Sequence, residues 1–145
     1  MIDFGFSDTF LATDGNHVDE NCNTKQFKGN MLFSSVRQLS FMKTSRRDDL
    51  ISLCYLLVYL LNKQKFPDKL QKKGAQCMSP IERLEMTRNY KESISIEDLI
   101  RKVTNQTGEH LLQTMLLEFV INIKKLSFNE EPDYLLLKQI LLNSM

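Results

Sequence analysis

Two adjacent arginines, Arg46 and Arg47, are the residues of this 145-residue chain whose placement most calls for a chemical partner. Ser45 before them and Asp48 after them mark a helix start, in which the acid reaches back to the N–H of the capping serine. Positive charge in a first helical turn opposes the helix dipole. The two guanidiniums therefore find a carboxylate or a phosphate elsewhere, or stay solvated at a surface. A second candidate opens the chain, where Asp3-Phe4-Gly5 sets a carboxylate beside an aromatic ring and a glycine. A tripeptide of this kind recurs by chance, and alone Asp3 reads as a capping or solvated acid. Thr9, Thr13 and Thr24 are hydroxyls open to phosphorylation, as in any polar loop. Cys22, Cys54 and Cys77 form no C-x-x-C pair. That speaks for a reducing compartment and against a disulfide frame or a zinc site.

The elements that position these residues are helical. Leu50 to Leu61 is apolar except for Ser52 and the tyrosine hydroxyls. A helix that is apolar all round is buried all round. At roughly 18 Å it is too short for a bilayer and suits the axis of a globular domain. It is read as running to about Asn62, with Phe66-Pro67-Asp68 ending it and a basic linker over Lys69–Gly74. Ahead of it, residues 12–30 are polar and irregular, and a short helix falls around Val36–Phe41. Behind it, Ser79 and Pro80 open a helix over Ile81–Asn89, and Ser95 caps another over Ile96–Val103. Asn105 to Gly108 reads as a turn. Apolar residues at 112, 115, 116, 119, 120, 123 and 126 give Glu109–Leu126 a helical period, and Pro132 opens a last helix through about Asn143. No stretch alternates long enough to make a sheet.

A net charge of +1 exerts no global pull toward nucleic acid or membrane. With 26% charged and 42% hydrophobic residues the composition is that of one soluble domain. The opening residues carry no signal-peptide pattern, so the expected setting is cytoplasm or nucleus. The expected form is a monomer, with no nucleic-acid or membrane partner.

Three blocks in order give the chain a resemblance. Ser45-Arg46-Arg47-Asp48-Asp49-Leu50, then Ser52-Leu53-Cys54-Tyr55, resembles the S-R-R-D-D-L-E-S-L-G-Y of casein kinase I family serine/threonine kinases. Phe128-Asn129-Glu130-Glu131-Pro132-Asp133-Tyr134 is similar to that family's F-D-D-K-P-D-Y. Lys28-Gly29-Asn30-Met31-Leu32-Phe33-Ser34-Ser35 stands where the family has T-G-T-A-R-Y-A-S. Ahead of them the Asp3-Phe4-Gly5 tripeptide sits where a kinase has its magnesium-binding motif.

The resemblance implies a mainly α fold, the helical C-lobe of the protein-kinase fold without N-lobe or catalytic loop. Residues 1–44 become the activation segment and its exit, and residues 45–145 become helices F to I. Asp3 then matches a magnesium ligand, because a hard dication bridging ATP phosphates takes carboxylate oxygen. Phe4, Gly5, Gly29 and Asn30 belong to the activation segment, with Asn30 in place of a threonine that contacts the catalytic aspartate. Asp49 matches the acid that anchors the catalytic loop from the inner end of the F helix. In an unrelated helical adaptor it would face solvent. Leu32 replaces an arginine that binds substrate phosphate, which leaves Lys91, Arg37 or Arg88 as candidate anion contacts beside the plainer reading of solvated side chains. Cys54 replaces the family's glycine, and the family's tryptophan is absent. The parent kinase would use Mg2+ and ATP on protein substrates. This chain, containing no H-R-D-x-K-x-x-N, is expected to be inactive alone and to bind neither tightly. A non-catalytic binding or scaffold module is the alternative.

Overall fold

The computed structural model describes residues 7–65, 78–107 and 110–142. Within them the chain forms α1 (Val36–Leu39), α2 (Arg46–Leu61), α3 (Pro80–Ser93), α4 (Ile96–Thr107), α5 (His110–Lys125) and α6 (Tyr134–Leu142). Among the described residues, β pairing is limited to isolated bridges between Leu11 and His17 and between Asn23 and Met42. The helical fold class stands. No helix among them is long and apolar enough to cross a membrane.

The helix starts follow from local chemistry. Ser79 accepts the Glu82 N–H at 3.3 Å and donates its own N–H to the Glu82 carboxylate at 2.6 Å, with Pro80 in the first turn. Ser95 accepts the Asp98 N–H at 3.1 Å and donates its hydroxyl to Asp98 at 2.7 Å. At α2 the buried Asp48 accepts the Ser45 N–H at 3.0 Å. At α6 it is Asp133, one residue past Pro132, that accepts the Leu136 N–H at 2.9 Å.

Two helices run further than their sequence limits. α3 continues past Asn89 to Ser93, and α4 continues through the supposed turn to Thr107. Nothing before Gly108 breaks the helical hydrogen bonding, since Gln is a good helix former and Asn and Thr are weak formers rather than stops. Gly108, Glu109, Asn143, Cys77 and the 66–74 stretch lie outside the described residues.

One core joins four helices. Cys54, Tyr55 and Val58 of α2 meet Leu99, Ile100 and Val103 of α4, Leu116, Phe119, Val120 and Ile123 of α5, and Leu137 and Ile140 of α6. The axis is α5, which packs against α2, α4 and α6. This corrects the expectation that the Leu50–Leu61 helix is buried on every side, since Leu60 is 51% exposed and much of α2 is half-buried. Asp49 and Leu60 are the exposed residues of α2, while the rest are buried or half-buried, with Phe33 packed on Tyr59 and Lys91 on Tyr55 beside the contacts to α4 and α5. α1 is held separately, against α3.

Candidate functional site

The segment leading into α1 is shaped by Gly29 and Asn30. Gly29 has φ +131°, and a Cβ there would sit 3.0 Å from Gln38 Nε2 and 3.4 Å from Ser34 Oγ. The positive φ is what favours glycine here. Asn30 is exposed, accepts the Leu32 N–H on its side-chain oxygen at 2.9 Å, and gathers the Phe33 and Ser34 N–H groups on its carbonyl at 3.1 and 3.0 Å. Its side-chain oxygen thus builds a turn.

Lys91 of α3 closes over that turn. Its ammonium donates to the Ser34 carbonyl at 2.5 Å and the Met31 carbonyl at 3.3 Å, and lies 3.8 Å from the centre of the Tyr55 ring. At 4% exposure it is not the solvated lysine that its neighbourhood in the sequence implies. The aliphatic stem is drawn into the interior and carbonyl dipoles and an aromatic face replace water around the charge. Burial pushes its pKa down to about 7. Leu32, half-buried, stands in the same turn.

Asp49 departs from the expectation of an inward-facing acid. Its residue is exposed, and among the described residues its carboxylate makes no hydrogen bond. It lines an open cavity of about 400 Å³ with Asp8, Lys43, Ser45 and Arg46. Surrounding protein and the neighbouring Asp48 still push its pKa upward. Its neighbour Asp48 is the acid turned into the protein at this helix start, held by the Ser45 N–H at 3.0 Å. The kinase reading assigns catalytic-loop N–H groups to Asp49, and these 145 residues contain no such loop motif.

The arginines have internal partners. Arg46 donates to the Asn129 carbonyl at 3.2 Å, lies 3.8 Å from the Glu131 carboxylate and stacks 4.6 Å from the Phe10 ring centre. Arg47 donates to the Leu126 carbonyl and to Glu20 Oε1, each at 3.0 Å. Arg37 donates to the Lys43 carbonyl at 2.7 Å and to the Glu20 backbone carbonyl, with its other terminal nitrogen 3.2 Å from Glu20 Oε1. Arg37 and Arg47 both lie over Phe128, at 5.0 and 5.7 Å. Of the partners open in the sequence, carboxylates are found. Arg37 is turned to this internal network, and Arg88 lies 4.0 Å from Glu92 within α3.

Asp3, Phe4 and Gly5 lie outside the described residues. Among the residues described, no group of three or more His, Cys, Asp or Glu could hold a metal ion. The structure therefore brings Lys91 to the Asn30 turn and Arg37 to Arg47, and keeps Asp49 apart from both. Sequence reading missed Glu20. Its only signal is an acid in a polar loop, and its partner Arg47 is 27 residues away.

The comparisons with known proteins follow this geometry. No protein-family model matches the chain. It is 34% identical to a probable casein kinase I homologue of Encephalitozoon cuniculi, over 97% of this chain and 40% of that protein. It is 24% identical to casein kinase I homologue 2 of Schizosaccharomyces pombe, over 97% of this chain and 29% of that protein. A second probable casein kinase I homologue of E. cuniculi is 24% identical over 100% of this chain and 43% of its own length. The chain thus has a casein kinase I-like relationship along nearly its whole length, and spans less than half the length of the relatives it matches.

Proposed function

From that relationship we propose that the chain is the helical lower-lobe portion of a casein kinase I-like serine/threonine kinase, whose parent transfers the ATP γ-phosphoryl group to protein hydroxyls. The observation that carries the reading is a likeness covering 97% of the chain but only 40% of the relative. Asp3 would supply the parent's magnesium carboxylate. Asp49 would receive catalytic-loop N–H groups in the cavity it lines, which is consistent with a carboxylate that has no internal donor. Exposed apolar side chains such as Leu60 and Leu135 fit a body meant to be covered further. Phosphoryl transfer depends on a glycine-rich loop, a strand lysine and a catalytic loop acting together with the metal. The chain alone is therefore inactive, with protein substrates, ATP and Mg2+ belonging to the parent, in the cytoplasm or nucleus.

The experiment is direct. The purified chain is incubated with labelled ATP, Mg2+ and casein, and ATP binding is measured by calorimetry. Neither phosphate incorporation nor tight binding is expected, and incorporation above background overturns the reading of an incomplete catalytic unit.

One observation favours a second reading, a non-catalytic binding module. Leu32 stands where the family has its phosphate-binding arginine, and Lys91 is buried against backbone carbonyls. If genomic sequence ahead of Met1 held a stop rather than an in-frame catalytic loop, this module would be the better account.

A further inference from the structure

Residues 10–18 form a small hairpin beside the start of α2. The Asn16 carbonyl accepts the Ala12 N–H at 2.8 Å and the Phe10 carbonyl accepts the Val18 N–H at 3.0 Å, with Gly15 at φ +82° in the turn. That pairing sets the Phe10 and His17 rings 5.9 Å apart, while residues 11–16 are exposed. The two rings dock the hairpin. His17 meets the buried Phe128 edge to face at 4.9 Å, and Arg46 of α2 lies 4.6 Å from the Phe10 ring centre.

The docked histidine is suited to its neutral form. Nδ1 lies 3.0 Å from the Val18 carbonyl, which can only accept, so Nδ1 carries the hydrogen and Nε2 the lone pair. Nε2 is buried and has no hydrogen-bond partner among the described residues. A second proton would create a buried N–H donor without an acceptor and hold a positive charge out of water. The aromatic rings that could receive an imidazolium already carry cations. Arg46 lies at Phe10, and Arg37 and Arg47 lie 5.0 and 5.7 Å from the Phe128 centre. The carboxylates nearby are engaged too. Glu20 faces Arg37 and Arg47, Glu131 faces Arg46, Asp8 faces Lys43, and Asp14 and Asp19 accept the Asn16 and Asn21 N–H groups.

We infer that residues 10–18 are an acid-released latch, docked through neutral His17 and freed when its ring takes a second proton. The free hairpin binds a proton that the docked one excludes, so lowering the pH through the histidine range favours release. Release carries Phe10 away from Arg46, and both line the cavity that holds Asp49. Acid therefore opens one wall of that cavity. The latch stands without the kinase reading, and only the use of the cavity rests on it.

The test follows the whole chain by NMR from about pH 7.5 to about pH 5.5, across the histidine range. It records the contact between the His17 and Phe128 rings, and amide exchange at Ala12 and Val18 corrected for its intrinsic pH dependence. The ring contact is expected to fade and the exchange to quicken roughly tenfold in step with titration of the His17 ring protons, with α5 amides unchanged. His17→Phe keeps an aromatic ring and cannot titrate, and is expected to stay docked throughout. Lys91 also changes charge near neutral pH and lines a cavity with Arg37 and Arg47, so Lys91→Met is run beside it and is expected to respond as the wild type does. An equal quickening in His17→Phe, its loss in Lys91→Met, or a His17 ring that titrates with its Phe128 contact intact overturns the proposal. Should His17→Phe fail to fold, the wild type decides. Loss of contact at the same midpoint as His17 titration supports the latch, and loss at another pH or together with the α5 amides contradicts it.

Discussion

Lys91 holds its ammonium 3.8 Å from the centre of the Tyr55 ring and thereby locks α3 to α2 across the Asn30 turn. A buried cation is costly unless its surroundings replace the lost water. Two backbone carbonyls and an aromatic face do so only in part, since burial still lowers the Lys91 pKa to about 7, and this happens at the place where the resemblance locates recognition of an anion. The lysine is thereby turned inward, a structural clamp between a helix and the segment it covers.

That burial has a pH signature. Folded Lys91 releases its proton near pH 7, whereas the unfolded side chain keeps it to about 10.5. Between those values the unfolded state binds more protons, so stability rises with pH through this window. Urea midpoints of the wild type are expected to climb from pH 7 to pH 9, and those of Lys91→Met to stay level. An equal climb in Lys91→Met would assign the effect to other groups.

The thiols should separate cleanly. Cys54 is buried in the core and its pKa is pushed up to about 12 by burial, while Cys22 is exposed. Thiolate is the reactive form. In a Cys77→Ser background, a disulfide reagent is expected to consume one thiol at once and the second only on unfolding. Rapid modification of both in the folded protein would contradict the packing of α2.

Gly29→Ala tests the turn before α1. A residue with a Cβ at φ +131° carries backbone strain of about 1–3 kcal/mol. The nearest obstruction, Gln38 Nε2, is the end of a flexible side chain and moves away, so the cost is the strain. Faster hydrogen exchange is expected at the Phe33 and Ser34 amides, with α5 unaffected. Unchanged exchange at those amides would mean that the turn does not depend on the glycine.

What the sequence revealed was local. Ser95 with Asp98 and Ser45 with Asp48 are three residues apart and Ser79 adjoins Pro80, so each cap and its signal sit in one short window. The apolar period of α5 is likewise written within the helix. Contacts across the fold were not legible. Lys91 meets Ser34 from 57 residues away, and a lysine between Tyr90 and Glu92 reads as a surface residue until that partner is known. Glu20 gave no sign of binding two arginines for the same reason. The apolar run of α2 misled in the other direction, because composition tells how much surface prefers burial and not which neighbours are present to bury it. Asp49 is the matching polar case, an acid whose assigned donors lie in a motif these residues do not contain.

The central claim, that these helices are the lower part of a kinase with Asp49 as its internal anchor, is tested by exchange. Residues 1–145 replace the matching region, 40% of the length, of the E. cuniculi relative, and transfer of labelled phosphate from ATP to casein is measured with and without Mg2+. Magnesium-dependent transfer is predicted, falling by roughly 100-fold or more in both Asp3→Ala and Asp49→Ala as metal and loop positioning are lost. A chimera that melts cooperatively yet binds no ATP, or whose activity is indifferent to Asp49→Ala, would contradict it.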